Sequence, residues 1–330
     1  MFSFLKLGQL LKGNFGEYIV SKQIQDTVWF AKNALSQEQV VIKSVLNHPR
    51  VRHERDILRR FQGRTPYLRP ILDEIQDPAD TIVLKYLDDD LQSASNRQKL
   101  SRRELQYVSK KVLQALSVLH EDSFVHTDVK LDNILVNYGH ANPAIRFTDV
   151  QLADCGATYH VDSEVAKSCT TVGAPIWRSP EIIMGLPVGW NTATDIWSYG
   201  LCLIALIYGD NFHILRPPRG ITVDHEDYDF HIMVQQFKLF GPLPDKFDEL
   251  FQDNENNIMM AEWLVGNVPK EEWSLFSRVC ETELPSRDRD FICRIMKMDP
   301  RDRPTANELL NDPWFDDDSH AELAVILCAT

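Results

Sequence analysis

His126-Thr127-Asp128-Val129-Lys130-Leu131-Asp132-Asn133 is the stretch that decides how this chain is read. It lies between two apolar segments, Leu113 to Leu119 and Ile134 to Val136, and sets a carboxylate, an ammonium and a side-chain amide close together. Asp128 can accept a proton from an incoming hydroxyl, Lys130 can neutralise charge on a transferring phosphoryl group, and Asn133 offers an oxygen to a magnesium ion. Read alone, the stretch is also compatible with a polar turn. Partner motifs in the right order decide between the two.

The loop resembles that of the eukaryotic protein kinases, H-R-D-x-K-x-x-N, with Thr127 in place of the usual Arg. Working back, three segments alternate as strands: Tyr18 to Ile24, Thr27 to Ala31 and Val40 to Lys43. Val28 precedes Lys43 at about the separation of the family's glycine-rich loop, which places a phosphate loop at Gln25 to Thr27, where no glycine stands. The alternative is that Gly13-Asn14-Phe15-Gly16 cradles phosphate, although it lies early in the chain and leaves Thr27 to Ala31 unexplained.

Lys43 closes a Val-Val-Ile-Lys run that resembles the strand whose ammonium pairs with nucleotide phosphates. Asn47 and Pro49 then signal a helix start, and Val51, Ile57, Leu58 and Phe61 fall on one apolar side. Glu54 shares that side. A carboxylate on an apolar stripe is costly without a cation, and Lys43 is available, as in the kinase lysine-glutamate pair. A solvated Glu54 is the plain alternative.

Thr81 to Leu84 reads as a buried strand leading to Lys85-Tyr86-Leu87-Asp88-Asp89-Asp90. By resemblance this is the hinge between lobes: Leu84 is the gatekeeper, Lys85 to Leu87 offer backbone groups to adenine, and Asp90 reaches toward the ribose. A run of aspartates is otherwise a solvated turn. Ser101 to Glu104 is a capping box, and Leu105, Val108, Val112, Leu116 and Leu119 follow at helical spacing, so a helix delivers the central loop.

Beyond the loop, a strand pattern from Arg146 to Ala153 ends at Asp154-Cys155-Gly156. This resembles the kinase D-F-G, which implies Asp154 as the main magnesium ligand and Asn133 as the second. Cys155 replaces a core phenylalanine and reads as a buried, inert thiol. Asp149, without a following glycine, is the weaker metal candidate. Ala157 to Val172 resembles an activation segment, but uncharged Thr127 offers nothing to grip a phosphorylated residue there. Gly173 to Glu181 resembles the segment ending in A-P-E, with Ala174 where Ser/Thr kinases usually carry Thr. Asp195 to Gly200 matches D-x-W-S-x-G, which implies that Asp195 holds the loop backbone, and the run Asp299 to Thr305 supplies Arg303 as the expected partner of Glu181. A second capping box, Thr305 to Glu308, starts the last helix.

At 330 residues, 44% apolar and 25% charged, the composition is that of a soluble globular protein. Leu201 to Tyr208, the most apolar run, is far shorter than the roughly 18 residues a membrane span needs. The first eleven residues show no secretory cleavage site. Cysteines at 155, 169, 202, 280, 293 and 328 form no C-x-x-C pair, which reads as reduced thiols in a cytoplasmic or nuclear protein. A net charge of −13 argues against nucleic-acid binding and suits a basic substrate, or serves solubility alone.

The resemblance runs from Tyr18 to Phe315 and implies an α+β, bilobal protein-kinase-like fold. Residues 1–17 read as an N-terminal extension, 18–84 as a mainly β N-lobe, 85–90 as hinge, 91–315 as a mainly α C-lobe and 316–330 as a tail. Arg178 and the H-T-D spelling are closest to the branch with SR-protein and cyclin-dependent kinases, and Lys130 favours Ser/Thr acceptors. The implied activity is a protein serine/threonine kinase using ATP and Mg2+, with Asp128 and Lys130 catalytic, Lys43, Glu54, Lys85, Leu87 and Asp90 at the nucleotide, and Asn133 and Asp154 at the metal. Protein substrates, basic or SR-type, are the expected partners. The alternative from another class is a pseudokinase scaffold, favoured by the glycine-free loop, Cys155 and Ala174. A small-molecule phosphotransferase is disfavoured by the Ser179-Pro180-Glu181 and D-x-W-S segments.

Overall fold

The structure, a computed structural model, describes residues 5–45, 49–142 and 144–316. Asn47 and the tail beyond Asp316, including Leu323 to Leu327, lie outside the described residues. The first part of the chain runs β1 (Leu10–Lys12), β2 (Glu17–Gln25), β3 (Val28–Asn33), β4 (Gln39–Ser44), α1 (Pro49–Phe61), β5 (Ile71–Ile75) and β6 (Thr81–Lys85). The strands form one antiparallel sheet in the order β1-β2-β3-β4-β6-β5. Alternation in β2 and β3 turns Tyr18, Val20, Trp29 and Ala31 into a small core that also buries Leu5 and Leu11. The sheet therefore begins at Leu10, and residues that read as an extension are its edge strand.

α1 lies against this sheet through Val51, Ile57, Leu58 and Phe61, the stripe anticipated from periodicity, and Glu54 is buried with them. β7 (Asp89–Asp90), α2 (Leu91–Arg97), α3 (Arg102–Glu121), β8 (Phe124–Val125), β9 (Ile134–Asn142), β10 (Ile145–Leu152), β11 (Tyr159–His160) and α4 (Glu164–Lys167) follow. The mainly helical remainder comprises α5 (Pro180–Ile183), α6 (Ala193–Tyr208), α7 (Tyr228–Phe240), α8 (Glu255–Asn267), α9 (Ser286–Ile295) and α10 (Ala306–Leu310). Both arms of the capping boxes at Ser101 and Thr305 form, satisfying orphan amides at the starts of α3 and α10. α6 is buried almost all round, which explains its uninterrupted apolar sequence. Among the described residues, no helix is long and apolar enough to cross a membrane.

The turn Gly13 to Gly16 has a purpose unrelated to nucleotide. The amides of Asn14, Phe15 and Gly16 donate to the Asp73 carboxylate at 2.9, 2.9 and 3.0 Å, and the Tyr18 hydroxyl adds a fourth bond at 2.9 Å. A Cβ at Gly13 would lie 2.2 Å from Asp73 Oδ2. This nest of amides suits an anion, and the chain supplies its own. The alternative phosphate cradle is thereby filled, and the β2–β3 turn at Asp26-Thr27 is left in the position of the phosphate loop.

Candidate active site

β4 carries Lys43 across the sheet from α1, and the ammonium lies 2.6 Å from Glu54 Oε2 and 2.7 Å from Asp154 Oδ1. Burial alone would lower the Lys43 pKa, but the carboxylates of Glu54 and then Asp154 outweigh it and raise the pKa. Burial would raise that of Asp154, but Lys43 and then Arg50 hold this carboxyl below the ordinary range. The buried glutamate anticipated from the helical stripe thus has its cation.

The loop from His126 to Asn133 is held from beneath. Asp195, at the start of α6 and fully buried, accepts from the His126 amide at 2.7 Å and the Thr127 amide at 2.9 Å. The His120 ring bonds the same carboxylate at 2.9 Å. His126 Nδ1 accepts from the Asp128 amide, so its Nε2 carries the proton that it donates to the Ala153 carbonyl at 3.0 Å. Ala153 in turn donates to the Asn133 carbonyl at 2.8 Å, which seats Asp154 beside Asn133. Thr127 and Asp154 both adopt left-handed backbone, φ 68° and 60°, a strain of about 1–2 kcal/mol each, held at the site by these contacts.

Asp128 is fixed at both oxygens. Oδ1 accepts from the Ala174 amide at 3.1 Å, and Oδ2 accepts from Asn133 Nδ2 at 2.9 Å with Lys130 Nζ 3.3 Å away. The Ala174 contact uses backbone, so it survives the loss of a hydroxyl at that position. Asn133 Nδ2 also donates to the Asp128 carbonyl at 2.8 Å, which spends the amide nitrogen and leaves Oδ1 as the acceptor for a cation. Asn133 and Asp154 therefore offer the hard oxygen donors that magnesium takes. Among the described residues, no group of three or more His, Cys, Asp or Glu side chains could hold a metal by itself. A metal held by these two side chains would need further ligands from outside the described side chains.

Two positions read as nucleotide contacts also serve the fold. Lys85 gives its amide to the Pro70 carbonyl at 3.2 Å, accepts from Arg69 Nε at 2.8 Å and pairs its ammonium with Asp149, so it ties the sheet to β10. Asp90 caps α2, accepting from the Ser93 amide at 2.7 Å and its hydroxyl at 2.9 Å. Leu87 lies buried between β6 and β7. Asp149, engaged by Lys85 and Asn137, stands apart from the metal ligands. Cys155 is fully buried, and burial holds its thiol protonated far above the usual range.

The following segment is anchored without a charge at 127. Thr127 Oγ1 donates to the Ala157 carbonyl at 2.6 Å, His53 of α1 bonds the Thr158 carbonyl at 2.6 Å and its ring stacks on Tyr159 at 4.8 Å, and β11 pairs with β8. A Cβ on Gly173, whose φ is +74°, would meet the Thr127 carbonyl at 2.5 Å. Glu181 and Arg303 meet in a buried, two-bonded pair at 2.6 and 2.8 Å. His53, Arg50, Arg69 and Asp73 were not singled out from sequence, because their partners lie far along the chain and no local pattern points to them.

The description "Protein kinase domain" fits residues 4–315 of this chain. Human serine/threonine-protein kinase PAK 4 is 35% identical over 120 residues, 36% of this chain and 19% of that protein. The fission yeast kinase shk1/pak1 is 31% identical over 217 residues, 66% of this chain and 24% of that one. Serine/threonine-protein kinase 4 homolog A of Dictyostelium discoideum is 28% identical over 218 residues, with 66% and 35% covered. The chain thus spans well under half the length of these relatives. A crystal structure of the yeast RNA Pol II CTD kinase CTDK-1 complex superposes with a TM-score of 0.73 over 91% of this chain and 93% of that one, at 20% identity, a likeness of fold.

Proposed function

Because this chain belongs to the protein kinase family, as the match across residues 4–315 establishes, we propose that it is an ATP- and magnesium-dependent protein serine/threonine kinase. The observation that carries the reading is the convergence of three side chains from two neighbouring loops, Asp128 and Asn133 from one and Asp154 from the other, beside a Lys43–Glu54 ion pair already closed at 2.6 Å.

Phosphoryl transfer asks for positioning and charge more than for covalent chemistry. Asp128, immobilised by Ala174 and Asn133, is aimed to orient an acceptor hydroxyl and to take its proton late in transfer. Lys130, beside Asp128, neutralises charge on the moving phosphoryl group. Lys43, held by Glu54, is placed to pair with the nucleotide phosphates, and Asn133 Oδ1 and Asp154 are the oxygens suited to magnesium. When bound, magnesium supplies charge neutralisation across phosphate oxygens. The −13 net charge supports basic Ser/Thr protein substrates. Five cysteines free among the described residues support a reducing, cytoplasmic or nuclear setting.

The test is ADP formation with basic Ser/Thr peptides, corrected for phosphate released without peptide. Asp128→Asn is expected to lower kcat by about 10²–10⁴-fold with nucleotide affinity retained. A wild type that binds ATP but transfers nothing to peptide sinks the enzyme reading in favour of a scaffold. Turnover of a small-molecule acceptor without peptide turnover redirects it to another substrate class.

A further inference from the structure

Asp154 is gripped at both oxygens. Oδ1 faces Lys43 Nζ at 2.7 Å, and Oδ2 faces Arg50 Nη2 at 3.1 Å. Arg50 stands in the first turn of α1 with its side chain about two-fifths exposed. Gly156 gives it a lane, since a Cβ there would lie 2.8 Å from Arg50 Nε and 2.9 Å from its Cγ. The same helix holds the succeeding residues through His53 and the Thr158 carbonyl.

From this arrangement we infer that Arg50 is a built-in counter-ion that holds Asp154 in place before metal arrives and must give up Oδ2 when a divalent cation binds. The inference rests on the kinase reading above and adds a positioning residue that competes with the metal. Its logic is steric and electrostatic. Magnesium coordinates oxygen at about 2.0–2.1 Å with near-octahedral demands, which an arginine lying over the same oxygen obstructs. Two cations sharing one carboxylate also repel each other, while Lys43 on the opposite oxygen is anchored by Glu54 and stays. Arg50 therefore raises the concentration of magnesium that nucleotide binding requires, and in return keeps the left-handed Asp154 ordered in the metal-free protein.

The test compares wild type, Arg50→Gln and Arg50→Lys as full chains at constant ionic strength, following fluorescence of mant-ADP during titration with MgCl2. Arg50→Gln is expected to lower the half-saturating magnesium concentration about three- to tenfold, the range for one partly exposed ion pair. Arg50→Lys, which keeps the charge, stays nearer wild type. Without metal and nucleotide, the thermal midpoint of Arg50→Gln falls below that of wild type, a readout independent of turnover. An unchanged or higher magnesium requirement in a folded Arg50→Gln protein overturns the inference and leaves the kinase reading standing. A wild type that binds no mant-ADP at any magnesium concentration overturns both.

Discussion

Asp73 illustrates how one side chain can settle a question that sequence leaves open. Its carboxylate fills the amide nest of the Gly13–Gly16 turn and fixes the buried Tyr18 hydroxyl, whose pKa is raised by burial and then by Asp73 itself. Asp73→Ala removes the acceptor for four amides, those of Asn14, Phe15, Gly16 and Glu74, and a phenol together. Stability is expected to fall by about 2–3 kcal/mol, less than five full hydrogen bonds because the turn can take up water. Urea unfolding measures it, and a loss below about 0.5 kcal/mol would show the nest to be ornamental. Asp90 teaches the converse. Its place after the hinge suggests a ribose contact, and an aspartate immediately before a helix is also an N-cap by local chemistry, a second signal readable in Asp90-Leu91-Gln92-Ser93.

Among the elements, α1 has the widest reach. It presents Glu54 to Lys43, Arg50 to Asp154 and His53 to the Thr158 carbonyl, so sheet, metal ligand and the segment after it are set by one helix. Only the first of these showed in the sequence, because a glutamate on an apolar stripe breaks a periodic pattern, whereas Arg50 and His53 break none. The segment from Ala157 to His160 is ordered by Thr127 Oγ1, His53 and the β8–β11 pairing, all made by unmodified residues. Phosphatase treatment of the pure protein is therefore expected to leave turnover within about twofold, since no phosphate-dependent pairing is needed to order the segment. Abolished activity after treatment would contradict this.

Over the whole molecule, a buried ion pair joins the end of the activation segment to the last helices. Arg303 donates to both Glu181 oxygens and to the carbonyls of Ala193, Lys297 and Met298. Arg303→Met strands a buried carboxylate and is expected to cost about 3–5 kcal/mol. Pairing it with Glu181→Leu recovers only part of that, because the three carbonyls remain without their donor. Equilibrium unfolding of both variants checks this, and a loss under about 1 kcal/mol in Arg303→Met would show that the pair is not a structural tie. From the sequence by itself came the order of motifs, the periodic stripe of α1, both capping boxes and the group of residues able to handle phosphate, metal and proton. These are carried by side-chain type and short spacing, which act locally. The tertiary structure alone decided that Gly13 to Gly16 encloses Asp73, that the sheet starts at Leu10, that Lys85 serves the junction with β10, and that Arg50 reaches Asp154. Those outcomes depend on which distant charge and which backbone amide meet after the chain has closed, and a single sequence does not encode such pairings in its spacing.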